Sequence, residues 1–92
     1  MKFGFSLSNN QGIEDVQAIL QLATRAEELG FDSVWATEHV FNTGHVFDRI
    51  GDRPYYEPLA LLSYAAATTK RVILGTSVLV LPYHNPIRLA KT

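Results

Sequence analysis

The sequence predicts an α/β fold in which three short strands alternate with helices and run parallel. Three observations carry that expectation. Apolar residues recur in gaps of three and four between Ile13 and Leu29, the spacing of one helix face. Short runs rich in Phe, Leu, Val and Ile stand before that stretch, after it and again near residue 72. Capping and turn residues fall at the joints between these segments. Alternation of this kind needs right-handed crossovers between parallel neighbours, so the expected strand order is 1-2-3, with two complete helices on one side.

Lys2 to Leu7 reads as the first strand, and Ser8-Asn9-Asn10-Gln11-Gly12 as a polar turn. A helix is expected from about Ile13, with Glu14 and Asp15 in its first turn, where the dipole favours negative charge. Its stripe is Ile13, Val16, Ile19, Leu20, Ala23, Ala26 and Leu29; Arg25, Glu27 and Glu28 lie off it. Gly30 suits the left-handed position that closes a helix, and Phe31 can fold back on the last turn.

Ser33 to Thr37 reads as the second strand, with Val34 and Trp35 as its bulk. Residues 38 to 56 show no period, and loops of that length in compact domains are often functional. Glu57-Pro58 opens a second helix that runs to about Thr69, because Pro fits the first helical position. That helix carries no charge before Lys70 and Arg71, so it expects cover on more than one side. Val72 to Thr76 reads as a strand buried on both faces, where apolar residues run on rather than alternate. Pro82 to Pro86 reads as a turn, with Asn85 as N-cap and Pro86 as first residue of a last helix.

With 47% hydrophobic and 18% charged residues, the composition is that of a globular chain rather than a disordered one. A net charge of -1 with thinly spread cations argues against nucleic acid as a partner. No segment has the length of a membrane span, and the apolar start, broken at Ser6 and Ser8, lacks the pattern of a signal peptide. The cytoplasm is the expected location. The absence of cysteine removes disulfides, thiolate metal sites and a thiol nucleophile. The turn after the first strand carries no Gly-x-Gly-x-x-Gly, which disfavours a Rossmann dinucleotide site, and there is no Walker A loop. Pattern alone leaves an open sheet and a barrel both possible.

Three separated blocks, in order, then match something specific. They are Met1 to Phe5; Ala26 to Trp35 followed by Glu38-His39; and Leu74 to Val78, then Leu81-Pro82, then Asn85 to Lys91. In these blocks the chain resembles the luciferase-like monooxygenases. The resemblance implies a (β/α)₈ TIM barrel, of which residues 1–92 would be the first three β/α units, and a flavin- or coenzyme F420-dependent oxidoreductase. Tyr56 to Leu59 and Gly75 to Pro82 look more like the branch that uses F420 than the one that uses FMN. A non-prolyl cis peptide at Ser77–Val78 is implied for the complete, cofactor-bound barrel.

In such a barrel the active site lies at the C-terminal ends of the strands. The resemblance therefore points to Ser8 and Asn9 after strand one, to Glu38 and His39 after strand two, and to Thr76, Ser77 and Val78 at the end of strand three. His39 is the candidate acid/base or substrate hydrogen-bonder, since imidazole exchanges a proton near neutral pH. Glu38 would orient His39 or bind substrate, unless it serves a structural salt bridge. Ser8, Thr76, Ser77 and Val78 are the expected cofactor contacts, although small polar residues also simply end strands. His45, Asp48 and Arg49 read as solvated loop residues and His84 as structural. Glu38, His39, His45 and Asp48 match no compact zinc spacing, so no metal is expected.

A barrel of this class needs about 250 residues and grips phosphate after strands seven and eight. The 92 residues alone are thus expected to be one partial domain, inactive, and unable to bind FMN or F420 tightly. The expected partners are a small-molecule substrate and further copies of the chain, because unpaired sheet edges recruit strands. Two other readings stay open: a non-catalytic module that works by assembly, and a metal-dependent barrel isomerase.

Overall fold

One three-stranded sheet organises the chain, described over residues 1–92 by a computed structural model. Strands β1 (Gly4–Ser6), β2 (Ser33–Thr37) and β3 (Ile73–Val78) lie in the order β1-β2-β3, and both pairings are parallel. Helices α1 (Val16–Glu28) and α3 (Pro58–Thr68) form the two crossovers and cover one face. The expected fold class and strand order are those observed. β1 is shorter than the run from Lys2 to Leu7. Its pairing continues outside the strand proper, because the Leu7 amide donates to the Trp35 carbonyl (2.7 Å) and the Asp32 amide to the Phe3 carbonyl (2.9 Å). β3 ends later than Thr76. Its register with β2 shifts after Ala36, so Thr37 pairs with Val78 and Ser77 is the additional residue. The peptide bonds of residues 1–92 are all trans, including Ser77–Val78; the cis bond is implied only for the complete, cofactor-bound barrel.

Local chemistry sets the helix boundaries. α1 starts three residues later than its apolar pattern suggests because Asp15 acts as the cap: its carboxylate accepts from the Gln17 amide at 2.9 Å. Glu14 and Asp15 therefore precede the first turn rather than fill it. At the other end Gly30 has φ +89°, its amide donates to Glu27 and that of Phe31 to Ala26, the paired bonds of a Schellman closure. Phe31 then meets Phe5 edge-on, with ring centroids 5.5 Å apart. Leu29, read as part of the stripe, stands outside it and is exposed. α3 begins at Pro58, with the Glu57 carboxylate accepting from the Leu59 and Ala60 amides. A last short helix, α4 (Pro86–Lys91), is capped by Asn85 as expected, after a 3₁₀ turn at Leu81–Tyr83.

The core lies between the sheet and the two crossover helices. Leu7, Val34, Ala36 and Val72 from the strands and their ends meet Ile19, Leu20, Ala23 and Ala26 of α1 and Leu61, Leu62 and Ala65 of α3. Each fully buried Leu, Ile or Val contributes about 1.5–3 kcal/mol relative to exposure. The opposite face of α3, with Ser63, Tyr64 and Ala67, stays open to solvent. The long segment after β2 is not wholly irregular. It holds a helix, α2 (His45–Ile50), between Gly44 (φ +52°) and Gly51 (φ +61°). Val46 and Ile50 are its buried side, and Asn42 ties the segment's ends by donating to the carbonyls of Gly51 (2.8 Å) and Arg53 (2.9 Å). Six residues between glycines give no readable period, which is why the pattern passes over it.

Glu27 joins the end of α1 to the entry of β3. Its carboxylate accepts from the amides of Val72 (2.9 Å), Lys70 (3.0 Å) and Arg71. The Arg71 guanidinium in turn donates to the Glu27 carbonyl (2.8 Å). The Val72 and Arg71 amides, then Lys70 and the Arg71 charge, hold the Glu27 carboxyl below its ordinary value of 4.5. A depressed carboxyl stabilises the fold above the unfolded value, and that contribution is lost as pH falls through the folded value. Glu27→Gln is therefore expected to lower the thermal midpoint at neutral pH. The gap from wild type should shrink below about pH 4. Melting curves of both proteins from pH 7 to pH 3 check it, and a gap that is constant or grows with acid contradicts the reading.

Candidate functional site

The C-terminal strand ends are gathered by one buried side chain. Asn9 has no solvent exposure. Its amide group donates to the carbonyls of Thr37 and Tyr56, both at 2.8 Å, and its side-chain oxygen accepts from the Thr37 amide at 3.3 Å. The Tyr56 amide returns a bond to the Asn9 carbonyl at 2.9 Å, and the Tyr56 hydroxyl reaches the Glu14 carbonyl at 2.7 Å. The exit of β1, the exit of β2 and the return of the long segment are thus bound at a single point. Sequence reading placed Asn9 beside Ser8 at the strand end. What it missed is the structural work, since both carbonyl partners are remote in sequence. Ser8 is half-buried in the turn.

Glu38 and His39 diverge. Successive residues of an extended chain point to opposite sides, and here Glu38 turns toward β3 while His39 turns toward the long segment. The Glu38 carboxylate, 8% exposed, accepts from the Val80 amide at 2.6 Å and meets His84 Nε2 at 2.8 and 3.0 Å. The His39 ring stacks on Tyr55 with centroids 5.6 Å apart. Its Nε2 is buried and has no hydrogen-bond partner, alone among the buried side-chain polar atoms of the chain. An unmet imidazole nitrogen in such a position is costly unless a ligand completes it. Of the readings open for Glu38, the structure shows the salt bridge, made with His84, and no hydrogen bond to His39. Forty-six residues separate Glu38 from His84, beyond any local signal in the sequence.

The strand-three candidates do not share one face. Ala36, Thr76's partner in the register, is buried on the helix side, and Thr76 lines a groove with Leu59, Leu62, Ala66 and Leu74. Ser77 sits at the register shift, its hydroxyl donating to the Ala36 carbonyl at 3.3 Å. Val78 is exposed opposite Thr37. The face of the sheet turned away from the helices is dominated by Trp35. A Cβ on Gly4 would stand 2.6 Å from its indole nitrogen, and one on Gly75 2.5 Å from its ring carbons, so the indole spans both neighbouring strands. Glycine inside a strand is the sequence signal for such close approach. The ring nitrogen donates to the Ser33 hydroxyl at 2.8 Å.

His45, Asp48 and Arg49 lie exposed on α2. No three His, Asp or Glu side chains stand close enough together to hold a metal ion, so Glu38, His39, His45 and Asp48 are not assembled as ligands. No helix is long and apolar enough to cross a membrane. The free Nε2 of His39, at a strand end, offers a hydrogen-bond donor or acceptor to a molecule bound there.

Comparison with known proteins adds a family. A family model described as luciferase-like monooxygenase matches residues 1–92. The alkanal monooxygenase alpha chain of Photorhabdus luminescens is 33% identical over 93 residues, which cover 96% of this chain and 24% of that protein. An F420-dependent glucose-6-phosphate dehydrogenase of Amycolatopsis mediterranei is 38% identical, over 99% of this chain and 26% of that protein. The chain thus spans about a quarter of the length of these relatives.

The hydrogen-bond inventory of Asn9 sets an expected outcome. Asn9→Ala orphans two carbonyls and an amide around a side chain with no solvent exposure, which costs about 3 kcal/mol. Urea unfolding of both proteins measures it, and a loss within experimental scatter would show that the strand ends are held by something else.

Proposed function

The chain belongs to the luciferase-like monooxygenase family, and we propose that it forms the first three β/α units of a barrel oxidoreductase that uses coenzyme F420 or, second in preference, FMN. The observation that carries the reading is the buried, unpartnered Nε2 of His39 at the exit of β2. The cofactor, when bound, supplies the redox step. His39 supplies a proton donor or acceptor, or a hydrogen bond, to the substrate, and its stack on Tyr55 fixes the plane of the ring. Val78 and Ser77, at the shifted end of β3, and Ser8 beyond β1 would meet the cofactor ring. Thr76 is the weakest member of that set, because it lies on the side of α3. Nothing in these strand ends resembles a phosphate cradle, so the cofactor tail would be gripped by later strands of the barrel. The preference for F420 rests on the residues around Tyr56 to Leu59 and Gly75 to Pro82, and one of the two relatives carries F420 dependence in its name. Self-association belongs to the same proposal, with β1 and β3 each leaving one edge unpaired.

Two outcomes are expected. Titrated alone, residues 1–92 should bind neither F420 nor FMN tightly and should purify colourless. In the complete barrel, His39→Ala should lower turnover by roughly 10²-fold or more, the usual share of a proton-transferring side chain, with little change in cofactor affinity. Cofactor titrations and steady-state kinetics check both. Tight binding by the 92 residues would misplace the tail's anchor, and unchanged turnover would remove His39 from the chemistry.

A further inference from the structure

We propose that His84 and Glu38 form a positioning latch that sets the turn after β3 and keeps the Glu38 carboxylate away from His39. The inference deepens the reading of His39 as the chemically active group, but it stands on separate contacts.

The segment between β3 and α4 has little else to hold it. Val80, Leu81, Pro82 and Tyr83 lie outside the core, and Leu81 and Tyr83 are more than 60% exposed. Its internal bonds are local: the Leu81 amide donates to Leu79, Tyr83 to Val80 and His84 to Leu81. The Glu38 carboxylate is the one side chain from elsewhere in the fold that hydrogen-bonds to it. Oε2 accepts from the Val80 amide at one end of the turn, and both oxygens meet His84 Nε2 at the other. A carboxylate that is 8% exposed needs this many donors to remain in place. A second bond joins the same two segments, from the Glu38 amide to the Val78 carbonyl at 3.1 Å. Val78 and Ser77, proposed as ring contacts, are therefore placed by groups on the exit of β2.

The latch also decides what His39 can do. The Glu38 carboxylate faces the Val80 amide and His84 and makes no hydrogen bond to His39. The His39 Nε2 remains free for whatever enters the strand-end region. Glu38 is then a positioning residue acting through the turn, and His84 acts through Glu38.

NMR of the protein separates this from a catalytic Glu38–His39 pair. The signals to follow are the Val80 amide and the ring resonances of His39 and His84. The variants are Glu38→Gln, His84→Ala and His84→Gln, the last keeping a donor of similar reach and providing a milder change should the alanine variant fail to fold. His84→Ala should speed Val80 amide exchange by about ten-fold or more, as expected for weakening a bond to a charged acceptor, and His84→Gln should restore part of the protection. Glu38→Gln should move the His84 ring signals and leave those of His39 in place. Unchanged Val80 exchange in both His84 variants overturns the latch. So does a shift confined to His39 in Glu38→Gln. Neither result bears on whether His39 takes part in turnover, which the kinetics of His39→Ala decide.

Discussion

Asn9 joins three segments that share no sequence neighbourhood: the exit of β1, the exit of β2 and the return of the long excursion at Tyr56. Parallel strands end with carbonyls and amides that the sheet no longer pairs, and in a buried place each of them must be met. One amide side chain meets three, and its own backbone carbonyl meets a fourth group. The position of His39 depends on this, since His39 follows Thr37 by two residues and stacks on Tyr55, next to Tyr56. A residue often read as turn material thus sets the distance between the candidate chemical group and the wall behind it.

At the opposite end of the sheet Glu27 does the corresponding work, meeting the three amides that lead into β3. The crossover helices are thus fixed by polar bonds at the bottom and by burial along their length. The strand exits at the top are fixed by Asn9 and by Glu38. The helix-facing side of the sheet is a dry core, whereas the other side is covered only by Trp35. In a family built as closed barrels this second side is the interior, and the two faces carry different demands: packing density on one, space and unmet polar groups on the other.

Much of this was legible from order and spacing. The Gly30-Phe31 closure, the Glu57-Pro58 start and the Asn85-Pro86 start each obey a local rule and appear in the fold as read, and the stripe read from Ile13 to Leu29 does so apart from its two ends. α2 escaped because six residues between two glycines carry neither period nor cap. The register shift at Ser77 escaped because strand ends are decided by the partner strand. Glu27, Asn9 and Glu38 were visible as polar residues, yet their partners lie 28 to 47 positions away. Spacing rules reach about one helical turn; contacts at that separation exist only once the sheet has formed. Among the candidate site residues, the place of His39 just past the second strand was legible from the order of the segments. The direction of its neighbour was not, since alternation says only that the two diverge, not what each finds.

Trp35 is the chain's single tryptophan, and it lies 38% exposed on the uncovered side of the sheet, fitted over Gly4 and Gly75. Among residues 1–92 its emission therefore reports on one place in the fold. When further strands or a ligand ring close over that side, the indole passes from partly wet to dry and its fluorescence shifts toward the blue. The indole is a native optical gauge of whatever covers this side of the sheet, placed at the centre of the strand that leads to His39.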